Sequence, residues 1–161
     1  KAIVLVTHHN FEETIGLVIN HPSKIKLHEI IDDIPNSDFP VYIGGPVSKN
    51  SIHFIHSLGR LIPNSIKIYN GLYFGGDFDV VKDLLWKGKI SKENMRFFAG
   101  YSGWEANQLE DELKENSWIL KEKNLKLSMR YSDKDYWSEI IRKMDKKYAL
   151  WANFPKDPSL N

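Results

Sequence analysis

The chain has 161 residues, of which 42% are hydrophobic, 27% charged and 12% aromatic. This composition is that of a single globular domain and excludes a disordered, collagen-like or coiled-coil protein, and no apolar stretch approaches the roughly 18 residues of a membrane-spanning helix. The formal net charge of +1 disfavours a protein that wraps around nucleic acid, and the lack of cysteine excludes disulfides, iron–sulfur clusters and thiol catalysis.

The first elements are predicted to form an antiparallel β-hairpin. Residues 1–8 are a nearly continuous apolar run, typical of a strand covered on both faces, and residues 15–20 form a second run after a short polar loop. Pro22 ends the second strand because it cannot donate to a central ladder. Residues 27–34 have apolar side chains at helical spacing, which predicts a short helix before Pro35.

The middle of the chain is predicted to be rich in strands. Four short β-runs are separated by turn residues, and they cover residues 41–45, 51–58, 65–69 and 72–76. Asp77 then has the character of an N-cap for a helix that ends at Gly88. Residues 95–104 predict another strand, and a helix follows it in which Asn107 and Glu110 have the spacing of a capping box.

The last third of the chain is predicted to contain two strands, a helix and a tail. Residues 118–122 and 125–129 are β-favouring runs, and Ser132 is the expected cap of a helix with an apolar face. Residues 148–161 are expected to be an extended tail packed on the body, because two prolines interrupt them and their aromatic side chains favour burial.

These elements indicate one α+β domain over residues 1–161. The strands are short and the four expected helices come at intervals too irregular for repeated βαβ units, so a mainly antiparallel sheet is predicted. No linker, repeat or low-complexity segment divides the chain.

The histidines do not predict a metal site. His8 and His9 are adjacent, and His53 and His56 are separated by an odd number of residues, so each pair points to opposite faces of a strand. No metal-binding spacing of histidine and carboxylate occurs, and we therefore expect neither a metal nor another cofactor.

No catalytic residue is predicted either. Ser102 lies in a Gly-Tyr-Ser-Gly-Trp run between a strand and a helix, but Trp104 occupies a position where a nucleophile elbow needs a small residue. The Gly44-Gly45 and Gly75-Gly76 pairs lack the Lys-Ser/Thr of a phosphate-binding loop. We interpret Trp104 as a core residue and the glycines as turn residues.

Four segments together resemble the AlgH/YqgE family of bacterial proteins. Their order and spacing match, and the likeness spans nearly the whole chain; the segments are residues 16–22, 41–47, 70–76 and 100–118. The resemblance implies a single α+β domain with a bulged, strongly curved, mostly antiparallel sheet, and a cytoplasmic protein of unsettled biochemical role. The family is labelled a transcriptional regulator because of an effect on exopolysaccharide production, not because of a demonstrated DNA-binding surface.

The chain departs from the family pattern in three places. Many members have Ala where this chain has Ser102, which further weakens any nucleophile proposal. Family members usually begin with a further apolar strand ahead of the position of Lys1, so the chain is expected to lack that strand, which would leave residues 1–8 with an uncovered edge or face. The region after Lys147 resembles only a subset of the family.

A small set of residues is the candidate binding site. Most positions that match the family are glycines, prolines or core residues, but His9, Asn20 and Tyr101 each have a polar head near a predicted strand end. Together with the turn formed by Gly44, Gly45 and Pro46, these side chains would line a small cleft if the loops converge.

Three functions follow from these observations. The favoured one is a non-enzymatic regulatory or interaction domain whose partner is another protein. The alternative is a small-ligand binder or enzyme that uses a pocket near Asn20, Tyr101 and the Gly44–Pro46 turn. Direct DNA binding is the weakest, although residues 121–147 carry 9 basic and 5 acidic side chains. Membrane binding is not expected, and the oligomeric state stays open.

Overall fold

The computed structural model describes residues 1–131, 135–144 and 146–153, and its centre is a β-sheet covered by helices. The strands of these residues are β1 (Val4–His9), β2 (Glu13–Val18), β3 (Pro22–Lys26), β4 (Pro40–Ile43), β5 (Val47–His56), β6 (Ile66–Tyr69), β7 (Leu72–Phe74) and β8 (Met95–Glu105). The α-helices are α1 (Phe78–Trp86), α2 (Gln108–Lys114), α3 (Leu125–Met129), α4 (Tyr136–Arg142) and α5 (Lys146–Ala149).

The long strand β8 organises the sheet. The strand order is β1-β2-β8-β5-β7-β6, and β4 joins β3 to the first half of β8. Only the β4–β8 pairing is parallel among the described strands. Register shifts in the β1–β2 and β5–β8 ladders are of the kind that bends a sheet. The predicted α+β fold with a curved, mainly antiparallel sheet is confirmed.

Two apolar clusters lie on the two faces of the sheet. Phe97 belongs to one cluster and its neighbour Phe98 to the other, as expected because successive side chains of a strand point to opposite faces. Helix α1 covers the first cluster with Val81. Helix α4 covers the second with Tyr136, and α3 contributes to the same cluster.

Both strands predicted after residue 117 are wrong. Residues 125–129 form α3 because Asn124 caps a helical turn: its Oδ1 accepts from the Leu127 N–H at 3.2 Å and its carbonyl O accepts from the Ser128 N–H at 3.0 Å. Residues 118–122 are irregular, since no described strand lies beside them to complete a ladder.

One predicted helix cap is confirmed and another is wrong. The Asp77 carboxylate caps α1, where its Oδ1 accepts from the Asp79 N–H at 3.0 Å. Helix α2 does begin after Asn107, but the Asn107 side chain makes no capping bond. Instead, the side chain of the next residue, Gln108, accepts a hydrogen bond through its Oε1 from the Glu105 N–H at 3.0 Å, in the turn that precedes the helix.

Three further segments differ from expectation. The helix predicted over residues 27–34 is only a 3₁₀ turn at Leu27–Glu29, and Pro22 begins the unpredicted strand β3. Residues 148–153 lie in α5 and the 3₁₀ turn Leu150–Asn153 rather than in an extended tail, because the prolines come later in the chain. The rest of the predicted tail, residues 154–161, and the Ser132 cap lie outside the described residues.

Candidate functional site

An apolar groove of about 620 Å³ lies beside β1. This volume is in the range of binding sites. Residues 1–6 and 117–124 line the groove, and helices α2, α3 and α4 contribute Leu109, Leu113, Leu127, Trp137, Ile140 and Ile141. Among the described residues that line it, the charged ones are Lys1, Lys121, Glu122 and Lys123, and these lining residues include neither a nucleophile beside a base nor a carboxylate pair.

Strand β1 presents an unpaired edge. It pairs with β2 alone among the described strands. The Ile3 carbonyl O accepts from the Ile19 N–H at 2.9 Å, whereas the Val18 N–H donates away from β1, to the Gly44 carbonyl O at 2.8 Å. Because backbone groups alternate between the two sides of an antiparallel strand, the N–H and C=O groups of Val4 and Val6 face away from β2.

The side chains of β1 are only partly covered. Its run of apolar residues has the pattern of a strand buried on both faces, yet Val4 and Leu5 are half-buried and Val6 is 40% exposed. An apolar edge strand with free backbone groups is a template for pairing with another chain.

Residues 117–124 form an irregular segment that we call the groove wall. The backbone N–H and C=O groups of residues 118–123 make no hydrogen bond to any residue in the described ranges. The wall begins where the Ser117 N–H donates to the Glu112 carbonyl O at 2.9 Å, and it ends at Asn124, the cap of α3. Both ends of the wall are therefore fixed, while its middle has free backbone groups.

A carboxylate joins the groove wall to the sheet. The Glu112 Oε2 accepts from the indole N–H groups of Trp118 at 2.6 Å and Trp104 at 3.1 Å, and the two rings meet edge to face. The indole hydrogen bonds, that of Trp118 above all, hold the pKa of Glu112 below its usual value. Sequence reasoning missed this clamp, although its three residues fall within the family-like segment 100–118.

A buried arginine lies beneath the groove. The Arg96 Nη1 donates to the Ser128 carbonyl O and Nη2 to the Ile19 carbonyl O, both at 2.7 Å, and the guanidinium stacks 4.2 Å from the centre of the Tyr42 ring. Burial lowers the pKa of Arg96 because desolvation penalises its charge. Since Ile19 and Ser128 both line the groove, Arg96 ties its floor to β8.

The structure places Asn20 in a structural role. Its Oδ1 accepts from the Ile3 N–H at 2.7 Å, and its Nδ2 donates to the Lys1 carbonyl O at 3.0 Å. These bonds continue the β1–β2 ladder beyond the end of β2, so Asn20 holds the first residues of the chain beside the sheet.

Tyr101 and His9 lie in different surroundings. Tyr101 packs against the second apolar cluster and meets the ring of His53 edge to face at 5.5 Å, and burial lowers the pKa of that histidine. His9 is exposed at the hairpin, where its Nδ1 is 2.7 Å from the Thr14 Oγ1 and its Nε2 is 3.5 Å from a Glu110 carboxylate oxygen.

Gly44 and Gly45 lie where β8 changes partner from β4 to β2. A Cβ on Gly44 would be 2.3 Å from the Gly100 carbonyl O, and one on Gly45 would be 2.2 Å from the Tyr101 carbonyl O. The glycines are thus required for close backbone approach. This brings the Gly44–Gly45 turn next to Tyr101, whereas none of the six predicted binding residues lines the groove. Their role in binding stays a prediction.

Two general searches cover the described residues. Within those ranges, no three histidine or carboxylate side chains are grouped closely enough to hold a metal ion. In the same ranges, no helix has both the length and the apolar character needed to cross a membrane.

Comparison with known sequences gives a family. The family described as AlgH-like matches residues 1–149. A UPF0301 protein of Bacteroides fragilis is 40% identical over 162 residues, which cover 100% of this chain and 82% of that protein. A UPF0301 protein of Chlorobium limicola is 35% identical and covers 100% of this chain and 86% of its own length.

Two solved structures share the fold. The solution structure of the AlgH protein from Pseudomonas aeruginosa aligns with a TM-score of 0.75 at 23% identity, over 98% of this chain and 86% of that one. A crystal structure of a Corynebacterium diphtheriae protein aligns with a TM-score of 0.74 at 21% identity, over 95% of this chain and 82% of that one. At these identities the comparison concerns the fold alone.

Proposed function

Because the chain belongs to the AlgH-like family, whose members have no assigned activity, we propose that it is a non-enzymatic interaction domain whose groove captures an extended apolar segment of a partner protein. The proposal includes a regulatory role exerted through that partner, without direct DNA contact, and the cytoplasmic location that the family resemblance implies. The observation that carries it is the apolar groove beside β1, which the described residues line mainly with hydrophobic side chains.

The backbone of β1 favours a polypeptide over a small molecule. The outward N–H and C=O groups of Val4 and Val6 recur at every second residue, and another extended backbone supplies complementary groups with the same period. Strand addition of this kind takes its affinity from main-chain hydrogen bonds and its specificity from pockets for alternate side chains. A small apolar ligand would leave the donors and acceptors of β1 unpaired.

The lining of the groove favours apolar side chains on the captured segment. Ile3, Leu5, Leu127 and Ile140 contribute hydrophobic surface to it. Burying each additional aliphatic side chain there would stabilise the complex by roughly 1.5–3 kcal/mol before the cost of ordering the segment. Three of the four charged lining residues are lysines, so acidic residues at the ends of the segment complement the groove.

A synthetic peptide tests the proposal. The probe has a core of alternating valine and threonine of the same length as β1, with blocked ends and flanking glutamates. We expect it to bind with a micromolar Kd in calorimetry. In a control peptide, the backbone nitrogens that would donate to β1 are methylated at alternate residues. This control keeps every side chain but lacks those donors, so we expect it to bind at least about tenfold more weakly.

A pair of variants locates the contact. Val4→Pro removes the outward N–H of β1, a change that an edge strand tolerates. Val4→Ala shortens the same side chain but keeps the N–H, so it is the side-chain control. We expect Val4→Pro to bind the probe at least about tenfold more weakly than Val4→Ala, with similar melting temperatures. Equal affinities of the two variants, or of the methylated and unmethylated peptides, would show that the β1 backbone does not take part.

A further inference from the structure

We infer that Ser51 is an acylation site: its hydroxyl, activated by the neighbouring His53 imidazole, takes an acyl group from a small acyl phosphate. The site lies in a bulge of β5, which β8 and β2 separate from β1, so the inference goes beyond the groove and the function proposed for it. An acylated serine is a modification of the domain itself and requires no turnover of a substrate.

The bulge gives Ser51 an unusual backbone setting. Residues 48–51 have no register partner, because four residues of β5 stand opposite the single residue Gly100 of β8. Within them, Ser48 has a φ of 48°, in the left-handed region that a residue with a side chain rarely adopts. Bulges and strained backbone of this kind are concentrated beside functional sites. The bulge therefore directs attention to the side chains that it presents.

A serine and a histidine within hydrogen-bond distance form the reactive pair. The Ser51 Oγ lies 2.9 Å from the His53 Nε2, and it also donates to the Ser48 carbonyl O at 2.7 Å. Rotation about the Cβ–Oγ bond turns the hydroxyl proton from that carbonyl O towards the Nε2. This is the orientation in which a serine is activated by an adjacent base.

Two aromatic rings position His53 as the base. The Phe74 ring stacks on the imidazole with 5.9 Å between ring centres, and the Tyr101 ring meets it edge to face at 5.5 Å. Burial lowers the pKa of His53 because desolvation penalises the charged ring. The imidazole is thus neutral at neutral pH and can accept the proton of the hydroxyl.

The surroundings of Ser51 favour a small anionic acyl donor. A surface depression holds Ser51 together with Pro46, Ser48, Lys49 and Asn50. Lys49 is the charged residue of this lining, and its ammonium complements a phosphate leaving group. Pro46 lines the depression and Tyr101 contacts His53, so two of the six predicted binding residues lie at this place.

The proposed step is one acyl transfer. The Ser51 Oγ attacks the carbonyl carbon of the acyl phosphate and forms an ester, while the bond from that carbon to the phosphate oxygen breaks. The hydroxyl proton passes to the His53 Nε2, inorganic phosphate leaves with the electron pair, and the imidazolium then releases the proton to solvent. The ester oxygen has no proton to donate, so acylation also removes the hydrogen bond to the Ser48 carbonyl O that closes the bulge.

Acetyl phosphate tests the inference, with the exposed Ser48 of the same bulge as an internal control. The protein is incubated with acetyl phosphate at neutral pH, and acetylated positions are located by peptide mass spectrometry. Hydroxylamine then separates the two kinds of product, because it cleaves a serine ester and leaves the amide of an acetylated lysine such as Lys49 intact. We expect a hydroxylamine-sensitive acetyl group on Ser51, formed at least about tenfold faster than on Ser48.

His53→Gln separates a base from a structural neighbour. Glutamine can still hydrogen-bond to the Ser51 Oγ but cannot take its proton, so labelling of Ser51 should fall to about the level of Ser48 with a similar melting temperature. Equal labelling of the two serines in the parent protein, no ester on Ser51, or undiminished labelling in a folded His53→Gln variant would overturn the inference. None of these results bears on the groove, whose function is tested separately by the valine–threonine probe.

Discussion

A single guanidinium holds together three parts of the molecule beneath the groove. Arg96 lies on β8 and donates to carbonyl groups of Ile19, just after β2, and of Ser128 in α3. Its Nε is buried without a hydrogen-bond partner, and the rings of Tyr42 and Phe98 stack near its charge. The side chain is thus a buried cation held by carbonyl oxygens and aromatic faces.

Substitution of Arg96 should be strongly destabilising. Arg96→Ala removes the donors for two buried carbonyl groups and leaves a cavity, and we expect a loss of about 3–5 kcal/mol in the free energy of unfolding. Arg96→Lys keeps the charge, but its single ammonium nitrogen cannot reach both carbonyl groups. We therefore expect an intermediate loss of about 1–3 kcal/mol in the free energy of unfolding. Urea unfolding at neutral pH measures both; a loss below about 1 kcal/mol for Arg96→Ala would contradict this role.

At the residue scale, sequence reasoning identified positions that matter to the fold. Asn20, Gly44 and Gly45 are predicted binding residues, and in the structure they hold backbone segments together, while their role in binding stays a prediction. The residue types indicated that these positions were special, but a side-chain amide that caps a strand and one that binds a ligand have the same sequence pattern. Trp104, by contrast, is 8% exposed, which confirms its predicted place in the core.

Among the elements, the groove wall depends on one half-buried helix residue. Glu112 on α2 accepts from the indoles of Trp118, at the start of the wall, and Trp104 on β8. Loss of these hydrogen bonds would detach the wall from the sheet without unfolding either element.

Acid titration should release the groove wall. The hydrogen bonds to Trp118 and Trp104 lower the pKa of Glu112 from the usual 4.5. Their contribution to the stability of the folded state is therefore complete above pH 4.5, and it is lost as the pH falls through the lowered pKa. We expect the indole N–H resonances of both tryptophans to move upfield in acid, and Glu112→Ala to show this shift at neutral pH. Glu115→Ala, a change at the C-cap of the same helix, should leave them in place. Unchanged indole resonances in Glu112→Ala would refute the clamp.

Sequence patterns predicted elements well where local interactions decide the structure. Asp77 was recognised as a cap because its carboxylate bonds to N–H groups two and three residues later. Residues 125–129 were misread as a strand because Leu125, Leu127 and Met129 alternate, while the cap at Asn124 favours a helical turn. Residues 118–122 have strand composition but no described neighbour, and pairing between distant segments is not a local property.

At the scale of the whole molecule, a buried histidine links stability to pH. The His56 Nε2 lies 3.0 Å from the Gly75 carbonyl O, and its Nδ1 accepts from the Leu58 N–H at 3.2 Å. The ring is therefore neutral with its proton on Nε2, and a second proton would face the Leu58 N–H. Burial lowers the pKa of His56 from 6.5.

The stability of the protein should consequently fall in mild acid. The folded state binds a second proton on His56 less readily than the unfolded chain does. The contribution of the neutral ring to the free energy of unfolding is therefore complete above pH 6.5 and is lost as the pH falls towards the lowered pKa. His56→Gln should be about 1–3 kcal/mol less stable at pH 7 and should show a shallower decline between pH 7 and 5. Urea midpoints across this range provide the test, and parallel curves for the two proteins would exclude His56 as the source.

The groove itself could not be predicted from the sequence. Most of its lining comes from the first six residues, from α2 and from segments after residue 117, and only the curvature of the sheet and the packing of α4 bring them together. The sequence did indicate the property that matters most, since the apolar pattern of residues 1–8 is that of a strand covered on both faces. In the structure Val6 remains 40% exposed and the outer edge of β1 is unpaired, so pattern and burial disagree at the place where we propose that a partner binds.

Hydrogen exchange at β1 tests the central claim most directly. The amides of Val4 and Val6 face away from β2, whereas the Ile3 N–H already bonds to the Asn20 Oδ1. With the valine–threonine probe bound, NMR should show exchange at Val4 and Val6 slowed at least about tenfold and exchange at Ile3 little changed, because only the outward groups gain partners. Bound probe with undiminished exchange at Val4 and Val6 would contradict capture of a strand at this edge.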